Sequence, residues 1–151
     1  MKTKLIFTIF FLFILTACSS GNQTPTLSPT EGAQLLAGVY TTSISPEDIQ
    51  KANSLDPGIT GNQGFWDVTL TNDGKFTANK DGQFVAAGEF TVRGESIEIY
   101  VKSVCTNCGC DQGIGKFNWA LKDNQLYFAK TAGVCDGLDL LLTAHALARQ
   151  P

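Results

Sequence analysis

The chain has a single histidine, His145, among its 151 residues, and no run of lysine or arginine. It contains no Gly-x-Ser-x-Gly elbow, no His-Glu-x-x-His and no Gly-x-x-x-x-Gly-Lys-[Ser/Thr] phosphate loop. Gly113-Ile114-Gly115-Lys116 has neither the spacing nor the hydroxyl residue that such a loop needs. Acid–base chemistry at neutral pH centres most often on histidine, and His145 stands in a short C-terminal stretch, 144–151, that reads as a mobile surface tail. Asp136 and Asp139 lack the ligand repeat of a calcium loop and read as turn and surface carboxylates. The chain therefore reads as a protein that is not an enzyme. Without a basic patch it also lacks the electrostatic footprint of a nucleic-acid binder, or of direct adhesion to anionic lipid. Its longest apolar run, Leu5 to Leu15 interrupted by Thr8, spans eleven residues. A bilayer-spanning helix needs ~20.

That run has another meaning. Lys2 and Lys4 precede it, and Leu15-Thr16-Ala17-Cys18 closes it, followed by the polar tract that opens with Ser19. This is the layout of an export signal, and its ending resembles the lipobox of bacterial lipoproteins. The resemblance implies that residues 1–17 are removed and that Cys18 is lipidated as the first mature residue. Several acyl chains on one cysteine satisfy the two-signal requirement for stable anchoring. It further implies an extracytoplasmic protein held to a bacterial membrane, the outer one where there are two, since Ser19 and not aspartate follows the cysteine. Loss of Lys2 and Lys4 leaves nine basic against fourteen acidic residues, a net charge of −5. Attachment would then come from the lipid alone. Residues 18–34, rich in Ser, Thr, Pro and Gly, read as a flexible tether that cannot build a core.

The folded part, 35–151, is of a size for one domain. It opens with a strand over residues 35–44. Ser45-Pro46-Glu47-Asp48 then starts a short helix, with serine as N-cap, proline in the first turn and acids at the positive end of the dipole. From Gly64 to Lys130 apolar residues alternate with polar ones, and Asn72-Asp73-Gly74, Lys80-Asp81-Gly82, Arg93-Gly94-Glu95 and Lys122-Asp123-Asn124 separate the runs. Period-two alternation gives each strand one buried and one wet face, and the turn residues supply positive φ. An all-β, up-and-down antiparallel meander of about eight strands is predicted. Leu138–Thr143 reads as a final strand or as a helical turn followed by a strand, and the closing strand is favoured because it removes the exposed edges.

Gly38-Val39-Tyr40 on the first strand, the short helix, the train of hairpins, the strand bearing Gly115, Phe117, Trp119 and Leu121, a late cysteine and Arg149 together resemble a small lipocalin-like, or calycin-like, barrel over residues 35–149. The chain departs from that pattern in having Tyr40 where lipocalins have tryptophan, and in lacking their Thr-Asp-Tyr turn. The resemblance implies that Arg149 packs over the first-strand aromatic, and that a small hydrophobic molecule binds inside the barrel. The inward candidates, whether lining a cavity or filling a core, are Tyr40, Trp66, Phe76, Phe84, Phe90, Ile99, Phe117, Trp119 and Phe128. A barrel of eight strands is just wide enough to be filled by side chains or to hold one small ligand.

With Cys18 assigned to lipid, four cysteines remain, Cys105, Cys108, Cys110 and Cys135. In an exported chain an even number points to two disulfides. Cys108–Cys110 would be a strained ring, which leaves Cys105–Cys108 with Cys110–Cys135, or Cys105–Cys110 with Cys108–Cys135. The first is favoured, because a two-residue gap within a turn is readily bridged. A bridge to Cys135 closes some twenty-five residues and is worth about 3 kcal/mol. The alternative is a four-thiolate zinc or iron–sulfur site, or a thiol–disulfide exchange pair in Cys105-Thr106-Asn107-Cys108. Against metal, structural zinc sites usually pair two motifs. Against exchange, no helix start follows the pair to lower a thiol pKa.

Three functions follow. A monomeric, lipid-anchored envelope lipoprotein binds or carries a small apolar or amphipathic molecule in its barrel. Alternatively its barrel is filled and it serves as a structural or protein-interaction module, or the four cysteines make it a metal-thiolate or redox protein. An interior void no larger than a few waters would count against carriage.

Overall fold

The computed structural model describes residues 29–104, 113–133 and 135–151. Helix α1 (Pro29–Leu36) leads into strand β1 (Gly38–Ile44), helix α2 (Pro46–Ala52) and a 3₁₀ turn (Pro57–Asn62). Strands β2 (Gly64–Leu70), β3 (Lys75–Lys80), β4 (Gln83–Arg93), β5 (Ser96–Val104), β6 (Gly113–Lys122) and β7 (Gln125–Ala132) follow. Helix α3 (Asp136–Thr143) and strand β8 (Leu147–Arg149) complete the chain. The eight strands form a closed antiparallel barrel in sequence order, β8 pairing with both β7 and β1. The fold is thus the predicted all-β, lipocalin-like up-and-down barrel, with the short helix where the Ser45-Pro46 signal placed it.

The turns obey their residue chemistry. Asp81 and Gly82 both have positive φ, as do Asp123 and Asn124, the requirement of a two-residue hairpin that follows strand twist. Trp66, Val68 and Leu70 of β2 and Phe76 and Ala78 of β3 face inward and are buried.

Helices close both ends. At the end where β1 begins, α1 lies against β4, so close that a Cβ on Gly32 would stand 2.5 Å from Val92. Ala33 and Leu36 are buried there. Residues 29–34 had been expected in the tether; they are helical because these two side chains have the barrel floor to bury against. Residues 18–28 lie outside the described residues. At the opposite end, Leu138 and Leu141 of α3 meet Trp66, Ala78, Ala86 and Val101 around a cavity of about 20 Å³.

Two expectations are corrected. Leu138–Thr143 is a helix, not the closing strand. Leu138, Leu140, Leu141 and Leu142 are all buried, because this segment sits between the barrel mouth, the 3₁₀ turn and β7. Alternation is not needed where every side is covered. The closing strand is β8, inside the stretch that read as a tail. Phe84 does not face the interior; it is 48% exposed. The register slips between Ala78 and Asn79, pairing Asn79 with Phe84 and Ala78 with Ala86. Val85 is the extra residue, and the bulge turns Phe84 outward.

The other inward candidates are in the core. Tyr40, Trp66, Phe76, Phe90, Ile99, Phe117 and Phe128 are buried. Trp119 is half-buried and packs against them, its indole N–H donating to Gly94 O at 3.0 Å.

Candidate functional site

The Ser45-Pro46-Glu47-Asp48 start of α2 forms a full capping box. Asp48 N donates to Ser45 Oγ, and Ser45 N donates to Asp48 Oδ2 at 2.9 Å. Ser45 Oγ donates to the same carboxylate oxygen at 2.8 Å. A third partner reaches Oδ2 from ninety-seven residues away, His145 Nε2 at 2.8 Å. Asp48 is buried, and these bonds, the Ser45 backbone N–H first and then His145, hold its carboxyl down at about 2. It is ionised at any physiological pH. His145 Nε2 therefore carries the shared proton, and in the neutral ring Nδ1 is left as an acceptor. The side chain is half-exposed, with 49% of its surface open. The expected mobile tail residue is in fact fixed between α2 and β8.

His145 sits where two hollows meet. One, of about 400 Å³, runs between α2, α3 and β7, and takes in Lys51, Ser54, Lys130, Asp136, Asp139 and Thr143. The other, of about 410 Å³, is a shallow groove along β1 with Thr41, Ser43, Phe65 and Ala146. In the first hollow Lys130 Nζ lies 2.5 Å from Asp139 Oδ2. That contact raises the Lys130 ammonium pKa. Asp139 is buried, contrary to the surface role expected of it, and its Oδ1 has no hydrogen-bond partner among the described residues. Asp136 is exposed and accepts from Ser54 Oγ. Lys51 forms no ion pair among the described residues.

Cys135 caps α3, its Sγ accepting from Leu138 N at 3.3 Å, and is 7% exposed. Cys105, Cys108 and Cys110 lie outside the described residues, as does Cys18. The expected pairing of these cysteines and the alternative thiolate metal site thus lie outside the described residues.

The site was only half legible. The capping box stands in four consecutive residues, whereas nothing in sequence ties His145 to Asp48. Nor did alternation single out Phe65, an outward residue with 75% exposure. Comparison with protein-family models, with curated proteins and with solved structures finds no match to this chain.

Proposed function

We propose that this protein is a lipid-anchored, non-catalytic module of the bacterial cell envelope, with a filled barrel that works through its outer surface around His145. The observation that carries this reading is the interior void of about 20 Å³. One water needs ~10–15 Å³ by the same kind of measure, and small-molecule pockets run to ~300 Å³ and above. Carriage of a small apolar molecule inside the barrel gains no support from so small a space. Among the described residues, two larger hollows lie outside the barrel, and both include His145.

The envelope location rests on the Leu15-Thr16-Ala17-Cys18 signature and its flanks. Structural disulfides fit the same compartment. Their support is Cys135, which is buried.

Two experiments test the reading. Cys18→Ala should move the protein from the membrane fraction to the soluble one; continued tight attachment would contradict the anchor. An apolar fluorescent dye such as N-phenylnaphthylamine should show no saturable binding to the mature protein. Stoichiometric, saturable uptake would restore the carrier reading.

A further inference from the structure

Resting on the reading that the protein works through its outer surface, we infer that the trough on either side of His145 is a saccharide-binding surface. A pyranose ring has an apolar C–H face and a rim of hydroxyls that each donate and accept. It is recognised by an aromatic ring beside fixed polar groups of both kinds. Phe65 on β2 lies directly opposite Ser43 on β1 and is 75% exposed. A single exposed phenylalanine means little by itself. This one lines a groove together with the hydroxyls of Thr41 and Ser43 and with His145.

The polar partners are held in advance. His145 is oriented by Asp48, which the Ser45 capping box orients in turn. Pre-organised hydrogen-bonding groups lose little freedom when a ligand arrives. Past His145 the trough continues to Lys51, to the Ser54–Asp136 pair and to Thr143. The two hollows, about 400 and about 410 Å³, have space for more than one ring.

Charge argues against other ligand classes. The hollow between α2 and α3 interleaves Asp48, Asp136 and Asp139 with Lys51 and Lys130. A phosphate or nucleotide would meet three carboxylates, and a polycation two ammonium groups. An acyl chain would bury these charges without giving them partners. A neutral, polyhydroxylated ligand is compatible with both signs.

The test is a titration of the mature protein in detergent with two neutral trisaccharides, tri-N-acetylchitotriose and maltotriose, followed by backbone amide NMR shifts. At least one should give saturable shifts in the millimolar range, centred on residues 41–43, 65 and 144–146. Phe65→Ala, which removes an exposed ring and leaves the core untouched, should weaken that binding about tenfold. Phe84→Ala, at an exposed ring outside the trough, should leave it unchanged. Absence of saturable shifts with both sugars would overturn the inference, as would binding indifferent to Phe65→Ala. If the sugars fail while the apolar dye also stays out, the filled-barrel reading survives and only the saccharide is lost. Sugar shifts centred on Trp66 and Phe117 would overturn both.

Discussion

The guanidinium of Arg149 lies over the ring of Tyr40, its Cζ 5.9 Å from the ring centroid, and donates through Nη2 to Ala37 O. Tyr40 in turn donates its hydroxyl to Leu36 O at 2.8 Å. Burial raises the Tyr40 pKa, against the opposing pull of Arg149. The first and last strands are thereby locked together over the end of α1, where a cation also suits the helix dipole. Arg149 thus takes the place that the lipocalin-like pattern implies, over tyrosine instead of tryptophan.

Arg149→Leu should therefore lower the unfolding free energy by about 3 kcal/mol, from the lost cation–π stack and the charged hydrogen bond. Arg149→Lys should recover only part of it, because an ammonium cannot both stack flat and reach the carbonyl. Urea midpoints with an unchanged slope would show this. A lysine variant as stable as the parent would dismiss the planar stack.

Gly88→Ala is expected to be among the most damaging single-methyl additions. An added Cβ would stand 1.9 Å from Tyr100 O, a backbone atom with no freedom to retreat, at the register slip between Ala87 and Gly88. A loss of about 3 kcal/mol or more is expected. Gly61→Ala, with open space around its Cβ, is the control. Equal melting temperatures for the two variants would refute the close approach.

Phe117 is fully buried and meets Phe128 edge-on, centroids 5.9 Å apart at 70°. Phe117→Ala should cost about 3–5 kcal/mol. It should also open an apolar hole in the core. The variant, and not the parent, should then take up N-phenylnaphthylamine; a folded variant that stays dark would mean the core collapses around the gap.

Asp48 sets an acid limit. Its carboxyl is held at about 2, against an ordinary value of 3.8. A depressed carboxylate contributes stability that is present above the ordinary value and disappears as pH falls through the folded one. About 2 kcal/mol should be lost between pH 4 and pH 2 from this group. Asp48→Asn should flatten the acid limb of a stability–pH curve in that window. A limb of unchanged steepness would place the acid sensitivity elsewhere.

Cys135→Ser separates staple from cap. Serine is a better N-cap than cysteine, so the bond to Leu138 N should persist. Any loss then belongs to the proposed disulfide, about 3 kcal/mol. Thiol reductant should bring the parent down to the variant's midpoint. A reductant-insensitive parent would rule the staple out.

Several elements were legible from neighbouring residues alone. The hairpins at Asp81-Gly82 and Asp123-Asn124, the alternation of Trp66, Val68 and Leu70, and the Ser45–Asp48 capping box each follow from local rules of φ, period two and orphan N–H groups. Phe84 shows where such rules end. Its parity matches Ala86, Gly88, Phe90 and Val92, but one inserted residue opposite Asn79 reverses its side. A bulge depends on what the facing strand requires. The Leu138–Leu142 segment shows another limit, since a segment covered on every side, Asp139 included, carries no alternation that would tell helix from strand.

The sequence by itself determined the class of fold, most of the strands and turns, and the resemblance of the leader to a lipoprotein signal, because these depend on residues within a few positions of one another. The tertiary structure alone decided that α3 and not a strand covers the barrel mouth, that α1 seals the floor, and that His145 meets Asp48. Each of these depends on volumes and contacts between segments far apart in the chain, and no local pattern carries that information.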